Sequence, residues 1–269
     1  MADKGISIII AVWNQLGYTK LAVDFLLKNS AGMPFELIIV DNGSRPDVKS
    51  YFDSINEKVS LQYIRNETNL GPIRAINQGL RCAKYDIAIV IHNDVLILDN
   101  RWLQKISSAM ESDARIGIVG LAGRKEIYKT GCVNEESLKH SLQDDDLNEP
   151  MKEEMAEVAV IDGLCFATRR ELIEKIGELD EKYGYMHCYD LDVSLASIAA
   201  GFKNVVVKIP ALHLANGGMT RKTRDYKRLV KDDYGLLKKN VKILAHKWRN
   251  MLPVRVTDAV DRRSSASGV

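Results

Sequence analysis

The sequence predicts an α/β protein built on a doubly wound, mostly parallel sheet. Three observations predict it. Apolar runs such as Ile87-Ala88-Ile89-Val90-Ile91 carry no polar alternation, the habit of strands covered on both faces. Strand-like and helix-like segments alternate through residues 1–120 with short joins. Four strand segments run out into polar residues, at Asn14, at Asp41, at Asn69, and at His92-Asn93-Asp94. One polar strand end is punctuation, but four on one edge build a cleft, and open parallel sheets bind ligands just beyond the carboxyl ends of their strands.

Taken in order, Ile6 to Val12 reads as a strand ending in Trp13-Asn14. Leu16 to Lys28 reads as a helix, with Leu21, Phe25 and Lys28 at helical spacing and Gly32 beyond its end. Phe35 to Val40 is a strand that ends in Asp41-Asn42-Gly43-Ser44, Val48 to Ile55 a short helix, and Ser60 to Ile64 a third strand. Asn69 and Gly71 are cap candidates before Pro72, which suits a first helical turn. The helix it opens puts Ile73, Ile76 and Leu80 on one face, with Arg74 and Asn77 off it. The strand Ile87 to Ile91 follows, then a helix from Trp102 to Met110 and a strand from Ile116 to Gly120. Between Gly123 and Glu157 the pattern dissolves, and Asp144-Asp145-Asp146 reads as a solvated loop sooner than a metal site. Val158 to Ile161 and Leu164 to Thr168 return to strand character around Asp162-Gly163. Arg170 to Ile176 is a helix stopped at Gly177, followed by an aromatic-rich loop from Leu179 to His187. Asp190 starts a further helix, ended at Gly201, with Leu191, Leu195 and Ile198 as its apolar stripe. Asn204 to Ile209 is a strand, followed by Ala211-Leu212-His213, and Gly217-Gly218 opens a flexible basic stretch through Lys222. From Thr223 the chain reads as a helix rich in Lys and Arg. The expected division is therefore a domain over 1–222, with halves 1–120 and 121–222, a basic helix over 223–252, and a disordered tail over 253–269.

Composition sets bounds on function. Of 269 residues, 46% are hydrophobic and 28% charged, an ordinary soluble composition with room for a full core. A formal charge of +2 points to no nucleic-acid partner. Cys82, Cys132, Cys165 and Cys188 are scattered without metal-finger spacing, which fits a reducing cytosol. The opening Met-Ala-Asp-Lys-Gly resembles no signal peptide, and no apolar run nears the ~20 residues that span a bilayer.

The polar strand ends, taken together, resemble a known family. Ile8 to Asn14, Ile38 to Ser44, Asn69-Leu70-Gly71 with Asn77 and Gly79, and His92-Asn93-Asp94-Val95 are similar to the nucleotide-binding half of the family 2 glycosyltransferases. Asp162-Gly163, Arg170, Gly177 with Asp180-Glu181, Asp190-Leu191-Asp192, Gly201, and Pro210 with His213 follow in the order of that family's second half. The resemblance covers Ile6 to Thr220. It implies a GT-A fold, with a Rossmann-like donor half and a mixed acceptor half. It further implies an inverting mechanism and transfer of a hexosyl or deoxyhexosyl group from a UDP- or dTDP-sugar to a hydroxyl of a saccharide or lipid-linked acceptor.

By that resemblance Asp94 is a metal ligand and His213 closes the metal site, with Mn²⁺ or Mg²⁺ as the cofactor. His213 also reads as a structural histidine after a strand. His92 stands where relatives carry Asp or Asn. Asp41 resembles the residue that hydrogen-bonds the donor base, although an Asx-turn before Gly43 would use it equally. Val12, Asn14, Asn69, Gly71 and Asn93 would flank the nucleotide, and Arg74 would reach base or phosphates or else lie on a solvated helix face. Asp162, Gly163 and Tyr189 fall on the acceptor side, with Tyr189 replacing the usual Glu. The resemblance assigns the general base to Asp190. Asp192, two residues on, points to a different helix face and suits N-terminal capping. Arg221, with Lys222 and Arg224, would clamp the diphosphate from a lid. The basic C-terminal helix would meet an anionic membrane surface, cover the domain or join an oligomer. The alternative to an enzyme is a catalytically silent sugar-nucleotide-binding protein of the same fold. A nucleotidyltransferase would want a Gly-rich basic loop after the first strand, where Trp13-Asn14-Gln15-Leu16 offers none.

Overall fold

A computed structural model describes residues 5–56, 59–144, 148–214 and 219–257. Its first half is β1 (Ile6–Val12), α1 (Leu16–Asn29), β2 (Phe35–Asp41), α2 (Pro46–Ile55), β3 (Leu61–Arg65), α3 (Pro72–Cys82), β4 (Ile87–Ile91), β5 (Val95–Ile97), α4 (Trp102–Ser112) and β6 (Ile116–Gly120). Short strands follow in the region where periodicity vanished, β7 (Ala122–Arg124), β8 (Glu126–Ile127), β9 (Leu138–His140) and β10 (Met155–Val158), and β11 (Val160–Ile161) lies where strand character was expected to return. Next come β12 (Cys165–Arg169), α5 (Arg170–Ile176), α6 (Tyr189–Ala199), β13 (Lys203–Val207) and β14 (Ala211–His213). The C-terminal elements are α7 (Met219–Lys222), α8 (Arg224–Leu229), α9 (Asp233–Lys247) and β15 (Val254–Arg255).

The central sheet has the order β10-β13-β6-β12-β4-β1-β2-β3. Strands β1 to β4 are parallel, β12 inserts antiparallel between β4 and β6, and β10 closes the far edge antiparallel to β13. The sheet is thus parallel in its first half and mixed in its second. The unalternating apolar runs follow from burial on both faces: Ile6, Ile8, Ile10 and Val12 of β1 pack into one core under α1, α2 and α4, while Ile9 enters the other, under α3, α5, α6 and α9.

Several local expectations are corrected. Helix α1 buries Thr19, Ala22, Val23 and Leu26, whereas Leu21 is 41% exposed. Both sets have helical spacing, and the turn at Asn14-Gln15 decides which one meets the sheet. In α6 the buried residues include Asp192, Val193 and Leu195, while Leu191 and Ile198 are only half-buried. The basic stretch is not one helix: the chain leaves helical geometry at Val230, and Asp232 caps α9 by accepting the Gly235 N–H at 2.8 Å. Part of the expected tail is ordered, since Val254 and Arg255 pair with β8; residues 258–269 lie outside the described residues. So do Asp145, Asp146, Gly217 and Gly218. The four cysteines are free thiols. No helix among the described residues is long and apolar enough to cross a membrane.

Candidate functional site

The carboxyl edge of the parallel strands carries the site. After β4 the chain turns through His92-Asn93-Asp94 into β5, which pairs antiparallel with β14 so that His213 stands opposite Val95. The Leu214 N–H donates to the Asp94 carbonyl at 2.8 Å and fixes this pairing. It brings His213 Nε2 to 3.4 Å from Asp94 Oδ1, with His92 Nδ1 at 4.0 Å from the same oxygen. One ligand atom from each of His92, Asp94 and His213 lies within 4.8 Å of the others. Asp94 Oδ1 and His213 Nε2 are buried and make no hydrogen bond. Buried polar atoms are nearly always satisfied, so a pair left open on convergent ligands fits a cation. Burial pushes the His92 imidazole down towards its neutral, ligating form, against the pull of Asp94. Burial would raise the Asp94 carboxyl, but the two imidazoles that approach it, His213 first, outweigh burial and hold it low. His213 is raised despite its own burial, because Asp94 favours its cation.

Tyr189 links this cluster to Asp190. Its hydroxyl lies 3.5 Å from His92 Nε2, and burial holds it in the phenol form. Asp190 Oδ2 accepts the Gly163 N–H at 2.9 Å and Oδ1 the Leu191 N–H at 3.0 Å, which fixes the carboxylate. Gly163 is required here: a Cβ would stand 2.6 Å from the Tyr189 hydroxyl and 3.2 Å from Asp190 Oδ2. Burial, aided by the charge of Asp162, pushes the Asp190 carboxyl up to about 6. That is the range of a working general base. Asp162 itself pairs with Arg124 at 3.0 Å.

Two grooves meet at these residues. One is lined by Val12, Trp13, Asn69, Pro72, Asn93 and Asp94; the other by Asp144, Asp162, Gly163 and Asp190 together with Leu237 and Val241 of α9. His92, Met186, Tyr189 and Arg221 line both. Residues expected at the nucleotide serve mainly to build the first groove. Asp41 is fully buried, and both its oxygens are taken: Oδ1 by the Ser44 N–H at 2.8 Å, Oδ2 by Tyr63 and Arg65. Asn14 and Gln15 both adopt left-handed φ, and the Asn14 carboxamide oxygen accepts from Arg45 N at 2.9 Å. Asn69 accepts from Gly71 N and from Asn42, while Gly71 (φ +88°) lets the chain pass Tyr185, where a Cβ would meet its carbonyl at 2.8 Å. The Asn93 amide is tied to Thr19 Oγ1 at 2.9 Å. Arg74 turns to the surface and pairs with Glu181 at 3.0 Å. Exposed pairs of this kind are worth little. Arg74→Ala should accordingly change nucleotide affinity less than twofold by calorimetric titration, and a tenfold loss would return Arg74 to the site.

Sequence reasoning missed three kinds of residue. Tyr63 and Arg65 share one face of β3, two residues apart and with Arg65 in register with Asp41, a signal that period-two reading of Leu61–Arg65 offered. Asn42 is the hub of the strand-end loops, accepting from Leu70 N and donating to Asn69 and the Gly71 carbonyl. The third kind lies on α9. Buried Asn240 donates to the Tyr183 and Met186 carbonyls, both at 2.7 Å, and Asp233 binds His187 at 2.8 Å. These contacts hold the left-handed pair His187 (φ +74°) and Cys188 (φ +65°), which aims Tyr189 and Asp190. Such conformations cost ~1–3 kcal/mol each and persist only where surroundings enforce them. Arg221 also ends on Asp233, at 2.9 Å, with its head group on the groove wall.

Asp192 faces away from Asp190 and binds α9: its carboxylate accepts from Lys247 at 2.8 Å, Trp248 Nε1 at 2.7 Å and the Tyr183 hydroxyl at 3.0 Å. Asp192→Ala would strand these donors. The expected loss is ~2–3 kcal/mol in chemical denaturation, below the ~3–5 of a fully enclosed pair because Lys247 still touches water. A variant as stable as the parent would show that α9 docks without it.

Comparison with known proteins agrees with the fold. The Glycosyl transferase family 2 model matches residues 7–177. Hyaluronan synthase and chondroitin synthase of Pasteurella multocida are 27% and 26% identical over 117 residues, which is 43% of this chain but only 12% of each of those proteins. Among solved structures, a mannosyltransferase from Pyrobaculum calidifontis in complex with GDP-Man and Mn²⁺ superposes over 98% of this chain and 76% of its own, with TM-score 0.58 and 14% identity. GalNAc-T7 with UDP, GalNAc and Mn²⁺ superposes over 97% of this chain and 58% of its own, with TM-score 0.63 and 15% identity. At these identities the structural likeness establishes the GT-A fold alone. The family match spans well over half of the sequence, and the chain belongs to glycosyl transferase family 2.

Proposed function

We propose that the chain is a cytoplasmic inverting glycosyltransferase of polysaccharide assembly. It would move a hexosyl or deoxyhexosyl group from a UDP- or dTDP-sugar to a hydroxyl of a saccharide or lipid-linked acceptor. One observation carries the reading: the groove beyond β1 and β4 and the groove beside Asp162 meet where Asp190 on one side faces the His92, Asp94, His213 cluster across Tyr189. Solved structures of the same fold hold GDP-Man, UDP and UDP-GlcNAc, two of them with Mn²⁺, which supports a nucleotide-sugar in the first groove.

In this reading Asp94, His213 and His92 hold Mn²⁺ or Mg²⁺, which when bound supplies Lewis-acid stabilisation of the leaving diphosphate. Asp190, oriented by the Gly163 and Leu191 N–H groups, takes the proton of the acceptor hydroxyl as its oxygen attacks the anomeric carbon. The bond to the diphosphate breaks on the opposite face, so the configuration inverts. Burial, aided by the like charge of Asp162, holds Asp190 basic, and Asp162 is itself positioned by its pairing with Arg124. Tyr189 fills the wall between the grooves. The test is nucleotide release from a panel of UDP-, dTDP- and GDP-sugars with Mn²⁺ and saccharide acceptors, the product anomer read by NMR. Tight donor binding without any transfer would favour a silent binding protein. A product that retains the donor configuration would overturn the inverting role of Asp190.

A further inference from the structure

We propose that the outer face of α8 and α9 is a docking surface for an anionic lipid bilayer, set beside the mouth of the acceptor groove. Residues 224–249 hold nine Lys and Arg against three Asp, in a chain whose totals, 38 basic and 36 acidic, nearly cancel. The three acids are already engaged: Asp225 by Arg228, Asp232 as the α9 cap, and Asp233 by His187, Tyr226 and Arg221. Lys227, Lys231, Lys238, Lys239 and Lys242 are exposed, and among the described residues none forms a salt bridge with a carboxylate.

Charge alone would suit any polyanion, and a second observation selects the bilayer. Among the described residues the two most exposed large apolar side chains are Tyr234, 66% exposed, and Leu229, 51% exposed, and both lie in this basic stretch. The Lys238 ammonium sits 4.1 Å from the centre of the Tyr234 ring. A soluble polyanion would neutralise the lysines and leave Leu229 and Tyr234 in water. A bilayer satisfies both, with lipid phosphates on the lysines and the leucine and the amphipathic ring at the headgroup boundary. The opposite side of α9 is spent within the protein, where Asn240 and Leu244 are fully buried. Contact is therefore shallow and largely electrostatic, and it weakens with salt. Leu237 and Val241, neighbours of Lys238 and Lys242 along α9, line the acceptor groove. A bilayer held on the outer face thus brings its surface to the groove. The contact itself does not depend on the transfer reaction and can fail or hold separately from it.

Flotation of the full chain with phosphatidylcholine vesicles, alone or mixed with an equal part of phosphatidylglycerol, tests it. Wild type should float with the mixed vesicles at low salt and not with the neutral ones. At roughly fivefold in partitioning per lysine, K238A/K239A/K242A should lose on the order of 100-fold. L229S/Y234S should lose most of the binding that remains at physiological salt. Circular dichroism and melting checks keep misfolding apart from lost binding. No flotation at low salt overturns the proposal. So does binding that dextran sulfate abolishes while L229S/Y234S leaves it unchanged, because that result assigns the patch to soluble polyanions.

Discussion

Asp190→Asn should abolish sugar transfer while leaving fold and donor binding in place. Loss of a positioned base typically costs ~10²–10⁴-fold, and among the described residues no other carboxylate is held as Asp190 is, by two backbone N–H groups at the junction of the grooves. The amide keeps the shape and one accepting oxygen but cannot take a proton. Its effect on stability should be small, for two opposing reasons. Asparagine gives up one of the two N–H contacts, a loss of ~0.5–1.5 kcal/mol. Against this, the folded-state pKa of Asp190 is raised from 3.8 to about 6. A raised carboxyl favours folding below its unfolded pKa, and that contribution is lost as pH climbs through about 6. At neutral pH the charged aspartate is therefore a burden that the amide removes. The same pKa predicts a wild-type rate that rises with pH, with a midpoint near 6, as the carboxylate forms. Retention of more than about a tenth of wild-type transfer, far above the expected loss, would place the base elsewhere.

How much of this was legible in the sequence depends on the range of the interaction. The parallel half was readable because its strands carry unbroken apolar runs and a polar break follows each: β1 and β4 match their expected bounds to the residue. The His92-Asn93-Asp94 turn and Asp190 could be found for the same reason. Between Gly123 and Glu157 the reading failed, because β7, β8 and β9 are two or three residues long and owe their form to pairing with distant strands. No local period can show that. The role of α9 was hidden in a different way. Its lysines pointed outwards to solvent, but Asn240, Asp233 and Lys247 act on residues 46 to 67 positions earlier in the chain. Arg74, expected either at the nucleotide or on a solvated helix face, lies exposed beside a glutamate 107 residues away, a partner that no local pattern could show.

The second large effect should come from Asp94→Ala. Asp94 is the carboxylate of the three-residue cluster, and its Oδ1 is the atom that both histidines approach, at 3.4 and 4.0 Å. Its carboxyl is held below the usual range although burial opposes this, so it is anionic at neutral pH. Two imidazoles without that anion make a poor site for Mn²⁺ or Mg²⁺, which favour oxygen ligands. Calorimetric titration with Mn²⁺ should show binding to the wild type and none to the variant. Melting should agree: at a metal concentration 100 times Kd, wild type gains ~2.7 kcal/mol, and the variant gains nothing. Transfer should fall ~10²–10³-fold, the range for removing one group that stabilises developing charge. Excess chelator should silence the wild type until Mn²⁺ returns. His92→Asp adds a second carboxylate to the cluster and should tighten Mn²⁺ binding; if affinity does not move, His92 stands outside the coordination shell. Full activity in chelator, together with unchanged Mn²⁺ titrations for Asp94→Ala, would leave the cluster as a buried ion pair and move the stabilisation of the leaving diphosphate to the arginine side of the groove, at Arg221.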